Sequence, residues 1–227
     1  MRFKDVFSII GPDMVGPSSS HTAGAVRIGR VARQLFEVQP EKVNIYLYRS
    51  FADTYQGHGT DVALAAGLLN WDTAHEHIPE ALVIAEQRGM QLNFIAKSGG
   101  ALHPNTAILQ MMKLNHSMRV TGTSIGGGNI EIVGVDDFDV RFSASFPTMV
   151  ITHADRIGML AEVTHLFSQN HLNIGAMDVD RKSRNGQAFT VIEADGAISQ
   201  ELIQAVRNLE GVVCVRMIDL TTGGEEA

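Results

Sequence analysis

The chain has 227 residues, 44% of them hydrophobic, with 18 Lys and Arg against 25 Asp and Glu for a net charge of −7. That length and apolar content allow one large or two modest domains with an ordinary buried core. The pI is about 5.7 and the positive charges are scattered, so the chain lacks the basic footprint of nucleic-acid or anionic-membrane binding.

No stretch approaches the ~18 uninterrupted apolar residues of a membrane span. Met1 to Val15 carries charges at Arg2, Lys4 and Asp5 around a short apolar run and lacks a signal-peptide core. The one cysteine, Cys214, cannot close an internal disulfide. These features predict a cytoplasmic protein.

Gly16-Pro17-Ser18-Ser19-Ser20-His21-Thr22 puts three hydroxyls and an imidazole directly before a segment of helical spacing, with apolar residues at Ile28, Val31, Ala32, Leu35 and Phe36. Ser19 or Ser20 is the expected N-cap. The first turn of such a helix offers free N–H groups and a positive dipole end to an anion. His21 adds a group that moves protons near pH 7. The same stretch also reads as a capped helix with a solvated histidine.

Lys42 to Arg49 alternates strictly and predicts a half-buried strand. A polar loop follows with Gly57-His58-Gly59-Thr60-Asp61, and then Val62, Ala65, Ala66 and Leu69 describe a short helix. His58 between two glycines suits a general base oriented by Asp61, or equally an exposed loop histidine. His75-Glu76-His77 points its imidazoles apart and reads as a solvated patch, not a metal site. Ile78 to Gln87 reads as a further helix. Gln91 to Val140 reads mostly as strands, with turns at His103-Pro104-Asn105, Asn115-His116-Ser117 and Gly126-Gly127-Gly128-Asn129. Ala107 to Leu114 also suits a helix, but is assigned to a strand. Ser124-Ile125-Gly126-Gly127-Gly128-Asn129 could cradle an anion with its backbone, or form a hairpin tip. It lacks the Lys-Ser/Thr ending of a P-loop and the helix that follows a dinucleotide fingerprint.

The composition breaks near residues 142–147. Beyond the break come a strand (148–152), a turn at Asp155-Arg156-Ile157-Gly158, a helix (159–170), a strand (172–181), an Asn185-Gly186 hairpin, a strand (187–194), a helix (199–209) and a strand (212–220). The order βαββαβ predicts a ferredoxin-like sandwich. Thr221 to Ala227 reads as a frayed end. The fold class is therefore α+β, divided into a mixed domain over 1–146, a βαββαβ domain over 148–222 and a tail at 223–227.

Taken together and in order, Gly-Pro-Ser-Ser-Ser-His-Thr (16–22), Gly-His-Gly-Thr-Asp (57–61), His-Pro-Asn-Thr (103–106) and Ser-Ile-Gly-Gly-Gly (124–128) resemble the β chains of bacterial iron–sulfur L-serine dehydratases. The C-terminal unit is similar to an ACT domain, through Asp-Arg-Ile-Gly-Met-Leu (155–160) and Asn-Ile-Gly-Ala-Met (173–177). The resemblance implies that residues 1–146 adopt a fold like the allosteric-substrate-binding domain of some phosphoglycerate dehydrogenases. It implies conversion of L-serine to pyruvate and ammonia, a lyase step of amino-acid degradation that feeds gluconeogenesis, active only with an α chain in a hetero-oligomer.

The resemblance further implies a four-iron four-sulfur (4Fe-4S) cluster ligated mainly by the α chain, its open iron acting on the substrate hydroxyl, and no metal ligand in this chain. It makes His58 the first choice for the base and His21 the second. Ser18, Ser19, Ser20 and Thr22 would hold the substrate, with Asp61, Asn105, Gly126 and Gly127 completing the pocket. Asp155, Gly158, Asn173 and Gly175 would frame an effector site, and ACT sheets would supply contacts between β chains. Two other readings share these motifs: a purely regulatory amino-acid-binding subunit, and a dimerising module.

Overall fold

The computed structural model describes residues 13–100 and 103–222. A five-residue π-helical turn, Ser19–Ala23, leads without a break into helix α1, Gly24–Phe36. Ser18, not Ser19 or Ser20, is the cap. It is extended (φ −144°, ψ 125°), and its Oγ accepts the His21 N–H at 3.2 Å. The reason is that the turn starts one residue early, with Thr22 N–H donating to the Ser18 carbonyl at 2.8 Å.

Strand β1 (Lys42–Tyr48) buries Val43, Ile45 and Leu47 on one face, as its alternation predicts. The segment after it, expected to be a loop, contains helix α2 (Ser50–Thr54). Its polar composition hides the helix, and the one apolar side chain that pins it is the fully buried Phe51. Helix α3 (Thr60–Leu68) has no apolar stripe because it is buried almost all round, between α1 and the next helix. A 3₁₀ turn at Ile78–Glu80 precedes α4 (Ala81–Gln87).

Strands β2 (Gln91–Lys97), β3 (Thr106–Lys113), β4 (His116–Gly126) and β5 (Asn129–Val135) complete a sheet of order β2-β1-β3-β4-β5. Only β1 and β2 run parallel. The ambiguous run after His103 is a strand, because both its edges are paired, to β1 and to β4. Helix α1 lies over β3, β4 and β5.

The second unit comprises β6 (Thr148–Ala154), α5 (Met159–Gln169), β7 (Ile174–Arg181), β8 (Gln187–Ala194), α6 (Gln200–Arg207) and β9 (Val212–Ile218). Its sheet has the order β7-β8-β6-β9, antiparallel throughout, which is ferredoxin-like. One face packs on the helices through Met149, Ile151, Val163, Phe167, Leu202 and Val206. The other face presents Val150, Phe189, Val191 and Ile218 to the core of the first unit. Phe138 stacks on Phe189 with ring centroids 5.1 Å apart.

Helix α1 bolts the two units together. Buried Arg30 donates to the Leu220 carbonyl at 3.3 Å and to the Thr222 carbonyl. Gln34 exchanges two hydrogen bonds with the Asp219 backbone. Thr222 is thereby held, contrary to the expected fraying from Thr221 onward; the tail 223–227 lies outside the described residues. No helix among the described residues is long and apolar enough to cross a membrane.

Candidate active site

The π turn that opens α1 presents Ser18, Ser19, Ser20 and His21 at the surface and folds Thr22 inward. Ser18 Oγ and Ser20 Oγ are 3.3 Å apart, and Ser20 Oγ lies 3.1 Å from His21 Nδ1. His21 Nε2 lies 3.0 Å from Ser50 Oγ on α2. The His21 ring packs edge-on against Phe51, at 5.3 Å. Both ring nitrogens of His21 are therefore occupied by hydroxyls, and its plane is fixed by an aromatic wall.

His58 faces it. The two imidazole centroids are 5.0 Å apart, with planes tilted by 38°. The Thr22 hydroxyl donates to the His58 carbonyl at 3.4 Å, and His58 N–H donates to the Thr54 carbonyl at 2.9 Å. Gly59, in the left-handed region at φ 67°, turns the chain from this loop into α3. The His58 side chain is exposed, and among the described residues no hydrogen bond engages its ring. Asp61, expected to orient it, does something else: its Oδ1 accepts the Val62 N–H at 2.9 Å. Its place in the first turn of α3 puts an unpaired backbone amide closer than the imidazole.

The other two motifs reach the site through β4. Buried Ser124 sits against Gly24, at the junction of the π turn and α1, where a Cβ on Gly24 would collide with its hydroxyl. That hydroxyl is fully buried and has no hydrogen-bond partner. Ser124 N–H donates to the Asn105 carbonyl at 2.9 Å, and the Asn105 amide donates back to the Ser124 carbonyl at 3.4 Å. Gly126 and Gly127 form the tip of the β4–β5 hairpin, with φ 98° and 63°. Arg27 Nη1 donates to the Gly128 carbonyl at 2.8 Å and holds that tip to α1.

Ser50 escaped the sequence reading, and Ser124 was read only as the first residue of a possible anion cradle. The only local hint of the first was Phe51, an apolar residue in a polar stretch.

Burial, then the nearby His58, push the His21 pKa below its ordinary value, against a smaller upward pull from the Ser50 backbone. That shift favours the neutral imidazole. Burial raises the Asp61 carboxyl, against the downward pull of its backbone hydrogen bonds.

The effector residues on the second unit do not meet within one chain. Asp155 accepts from Arg181 Nη1 and from Asn185 N–H, both at 3.1 Å, and Gly158 caps the start of α5 at φ 88°. Asn173 donates to Asp195 at 2.5 Å just past the other end of α5, and a Cβ on Gly175 would lie 2.9 Å from Asp195 Oδ1. Helix α5 has 11 residues, so ~16 Å of helix separates the two segments. A single small ligand between Asp155–Gly158 and Asn173–Gly175 of one copy is ruled out by that length.

The donors do not fit a four-iron cluster on this chain. Cys214 is its one thiol, where such a cluster takes several thiolates. It sits half-buried on β9, paired with Thr152 in the second sheet. Among the described residues no group of three or more His, Cys, Asp or Glu is placed to hold a metal ion. His75 stacks on Trp71 at 4.2 Å, and His77 lies 5.7 Å from it, beside Glu76 and Glu80.

Two family models match this chain: serine dehydratase beta chain over residues 3–133, and ACT domain over residues 148–211. The chain is 43% identical to the probable L-serine dehydratase, beta chain, of Bacillus subtilis, covering 96% of this chain and 99% of that one. It is 30% identical to the L-serine dehydratase, beta chain, of Peptoniphilus asaccharolyticus, covering 94% and 97%. A D-3-phosphoglycerate dehydrogenase of Bacillus subtilis is 25% identical over 60% of this chain and 26% of that enzyme. All four motifs around His21 and His58 fall inside the matched span, and on this similarity the chain belongs to the serine dehydratase β chain family.

Proposed function

We propose that this chain is the β subunit of a cytoplasmic L-serine dehydratase, forming pyruvate and ammonia from L-serine together with an α chain. Residues 1–146 form the site-bearing domain in this reading, and 148–222 the ACT domain. The family's four-iron four-sulfur cluster is assigned to the α chain, and every step written here belongs to this chain's own residues. The observation that carries the reading is the His21–His58 pair, 5.0 Å apart beside a hydroxyl-lined helix start.

Ser18, Ser19 and Ser20, at the positive end of the helix, bind the substrate carboxylate. Thr22 holds the His58 loop from behind. His58 removes the Cα proton. Its exposed ring has no hydrogen bond among the described residues, so Nδ1 or Nε2 can accept. His21 is the positioning partner, with both nitrogens already engaged by Ser20 and Ser50. Its neutral form, favoured by burial, places no positive charge against His58 when that ring takes up a proton. Asn105, Gly126 and Gly127 close the far wall through Ser124, and Asp61 keeps α3 in place behind His58.

The test is steady-state pyruvate formation by the complex with the α chain, prepared without oxygen. His58→Ala lowers turnover by about 100-fold or more. A loss under about tenfold, ~1.4 kcal/mol of barrier, overturns the assignment.

For the ACT unit, the outer edge of β7 pairs with no strand among the described residues, and Met177 and Val179 are exposed on it. Antiparallel pairing of β7 with a second copy would bring Asn173 and Gly175 of one chain against Arg181, and so against Asp155 and Gly158, of the other. That contact between β chains joins the two half-sites separated by α5.

A further inference from the structure

Where the two sheets meet, a cavity of about 280 Å³ is lined by Arg27, Asn129, Ser143, Ser145 and Thr221, among others. No residue assigned above to substrate or effector lines it. Its one formal charge is Arg27, which enters from the first turn of α1.

Arg27, unlike Arg30 on the same helix, is only partly matched. Arg30 sends its donors to two carbonyls and to Asn70. Arg216, Arg141 and Arg156 each pair with a glutamate. Arg27 makes one hydrogen bond, from Nη1 to Gly128, and forms no ion pair among the described residues. Its remaining N–H groups have no protein acceptor there. Burial, and the like charge of Arg30, disfavour the guanidinium cation. Two carboxylates stand behind lining residues, and neither pairs with Arg27. Glu193 accepts from the Ser143 amide and hydroxyl, at 3.2 and 2.7 Å, and Asp219 from the Thr221 amide and hydroxyl, at 2.8 and 2.6 Å. Two donors stay available beside Arg27: the Ser145 hydroxyl, and the Asn129 amide proton not spent on Gly126. A planar fork with spare donors, next to a hydroxyl and an amide, matches an oxyanion.

We propose that this seam cavity binds a small oxyanion, a carboxylate or a phosphate, held by Arg27 with Ser145 and Asn129. The inference does not rest on the serine reading, and its test needs no catalysis.

The full chain is titrated calorimetrically with inorganic phosphate and, separately, with acetate. Saturable binding of at least one is expected, and whichever binds tighter identifies a phosphoryl or a carboxylate site. Arg27→Met weakens that binding about tenfold or more. Ser145→Glu leaves Arg27 and its bond to Gly128 intact but puts a carboxylate into the cavity, and it abolishes binding. Binding that survives Arg27→Met undiminished belongs to another site and overturns the proposal. Should Arg27→Met fail to fold, Ser145→Glu decides. Absence of saturable binding for both anions, or wild-type binding by Ser145→Glu, overturns the proposal.

Discussion

Gly67→Ala probes the packing on which the His21–His58 distance depends. Helices α1 and α3 cross with Gly29 and Gly67 in contact. A Cβ on Gly67 would fall 2.6 Å from Arg30 N and 2.8 Å from Gly29 Cα, with the Val26 carbonyl nearer still. Carbon prefers its neighbours at ~3.5–4.0 Å, so the helices must part by roughly 1 Å. Every clashing atom is backbone, which places the overpacking cost near the top of the usual range, ~3 kcal/mol. Alanine's better helix propensity returns ~1 kcal/mol. The net loss of ~2 kcal/mol corresponds to a Tm lower by roughly 4–8 °C in a chain of this size. α3 begins two residues after His58, and α1 begins on the turn that carries His21, so parting the helices parts the rings. A shift of ~1 Å can cost about 100-fold in turnover. Thermal unfolding of the chain and serine turnover with the α chain measure the two effects. Gly57→Ala is the control, since its Cβ meets nothing nearer than the Thr54 carbonyl at 3.8 Å. A Gly67→Ala chain that melts at or above the wild-type temperature would refute the argument, because propensity alone would then have decided.

Further outcomes follow from the same geometry. In an NMR titration His21 protonates below its ordinary pKa, and His58→Ala raises its midpoint by removing the second cause of the shift. The unfolded chain binds this proton first, so the His21 contribution to stability is complete above about pH 6.5 and is lost as pH falls below it. Urea unfolding of wild type against His21→Gln across that window checks the sign, and a contribution that grows on acidification contradicts it. Arg30→Met strips the Leu220 and Thr222 carbonyls of their Arg30 donors, while Asn70 keeps its bond from Gln34 Nε2; a loss of ~3 kcal/mol is expected. The shared core keeps both units in one transition, so urea unfolding should move as a whole to lower urea, and an unshifted midpoint would count against that role. Ser124→Ala removes a buried hydroxyl that has no partner, so the chain alone should lose no stability. A loss above about 1 kcal/mol means that the hydroxyl is in fact satisfied.

Alternation and spacing made β1, the apolar face of α1 and the βαββαβ order legible, because each depends on one buried face of its own segment, whereas β3 stayed ambiguous because its Met and Leu residues also suit a helix. Helix α2 was not legible: five residues with one large apolar side chain carry no period, and Phe51 is recruited by the core from a distance. The cap moved from Ser19 or Ser20 to Ser18 because three serines in a row offer the same chemistry, and only the width of the turn selects among them. At the site, the residue types were readable and the pairings were not. Asp61 is close to His58 in sequence yet bonds to its own helix, while Ser50, with no motif around it, reaches His21 Nε2. The effector segments read as one site for a similar reason. The helix between them, 159–170, was legible, but the resemblance that paired the segments does not say whether they meet within one chain or across two.

Helix α1 accounts for why the second sheet cannot be treated as a detachable module. The π turn that leads into it holds the imidazole and the serines, Arg27 faces the seam, and Arg30 and Gln34 are bonded to the chain just past the strand that closes the second sheet. Val150, Phe189, Val191 and Ile218 lie in the same core as Phe138, Val140 and Phe142. Removing residues 148–222 would uncover those aromatic side chains and leave Arg30 buried without its acceptors, so the first sheet would change before any regulatory role could be read. The same continuity gives a ligand on the second sheet a physical route to the His21 turn. That route is the rigid body of one 13-residue helix, bonded at one end to the sheet and continuous at the other with the turn.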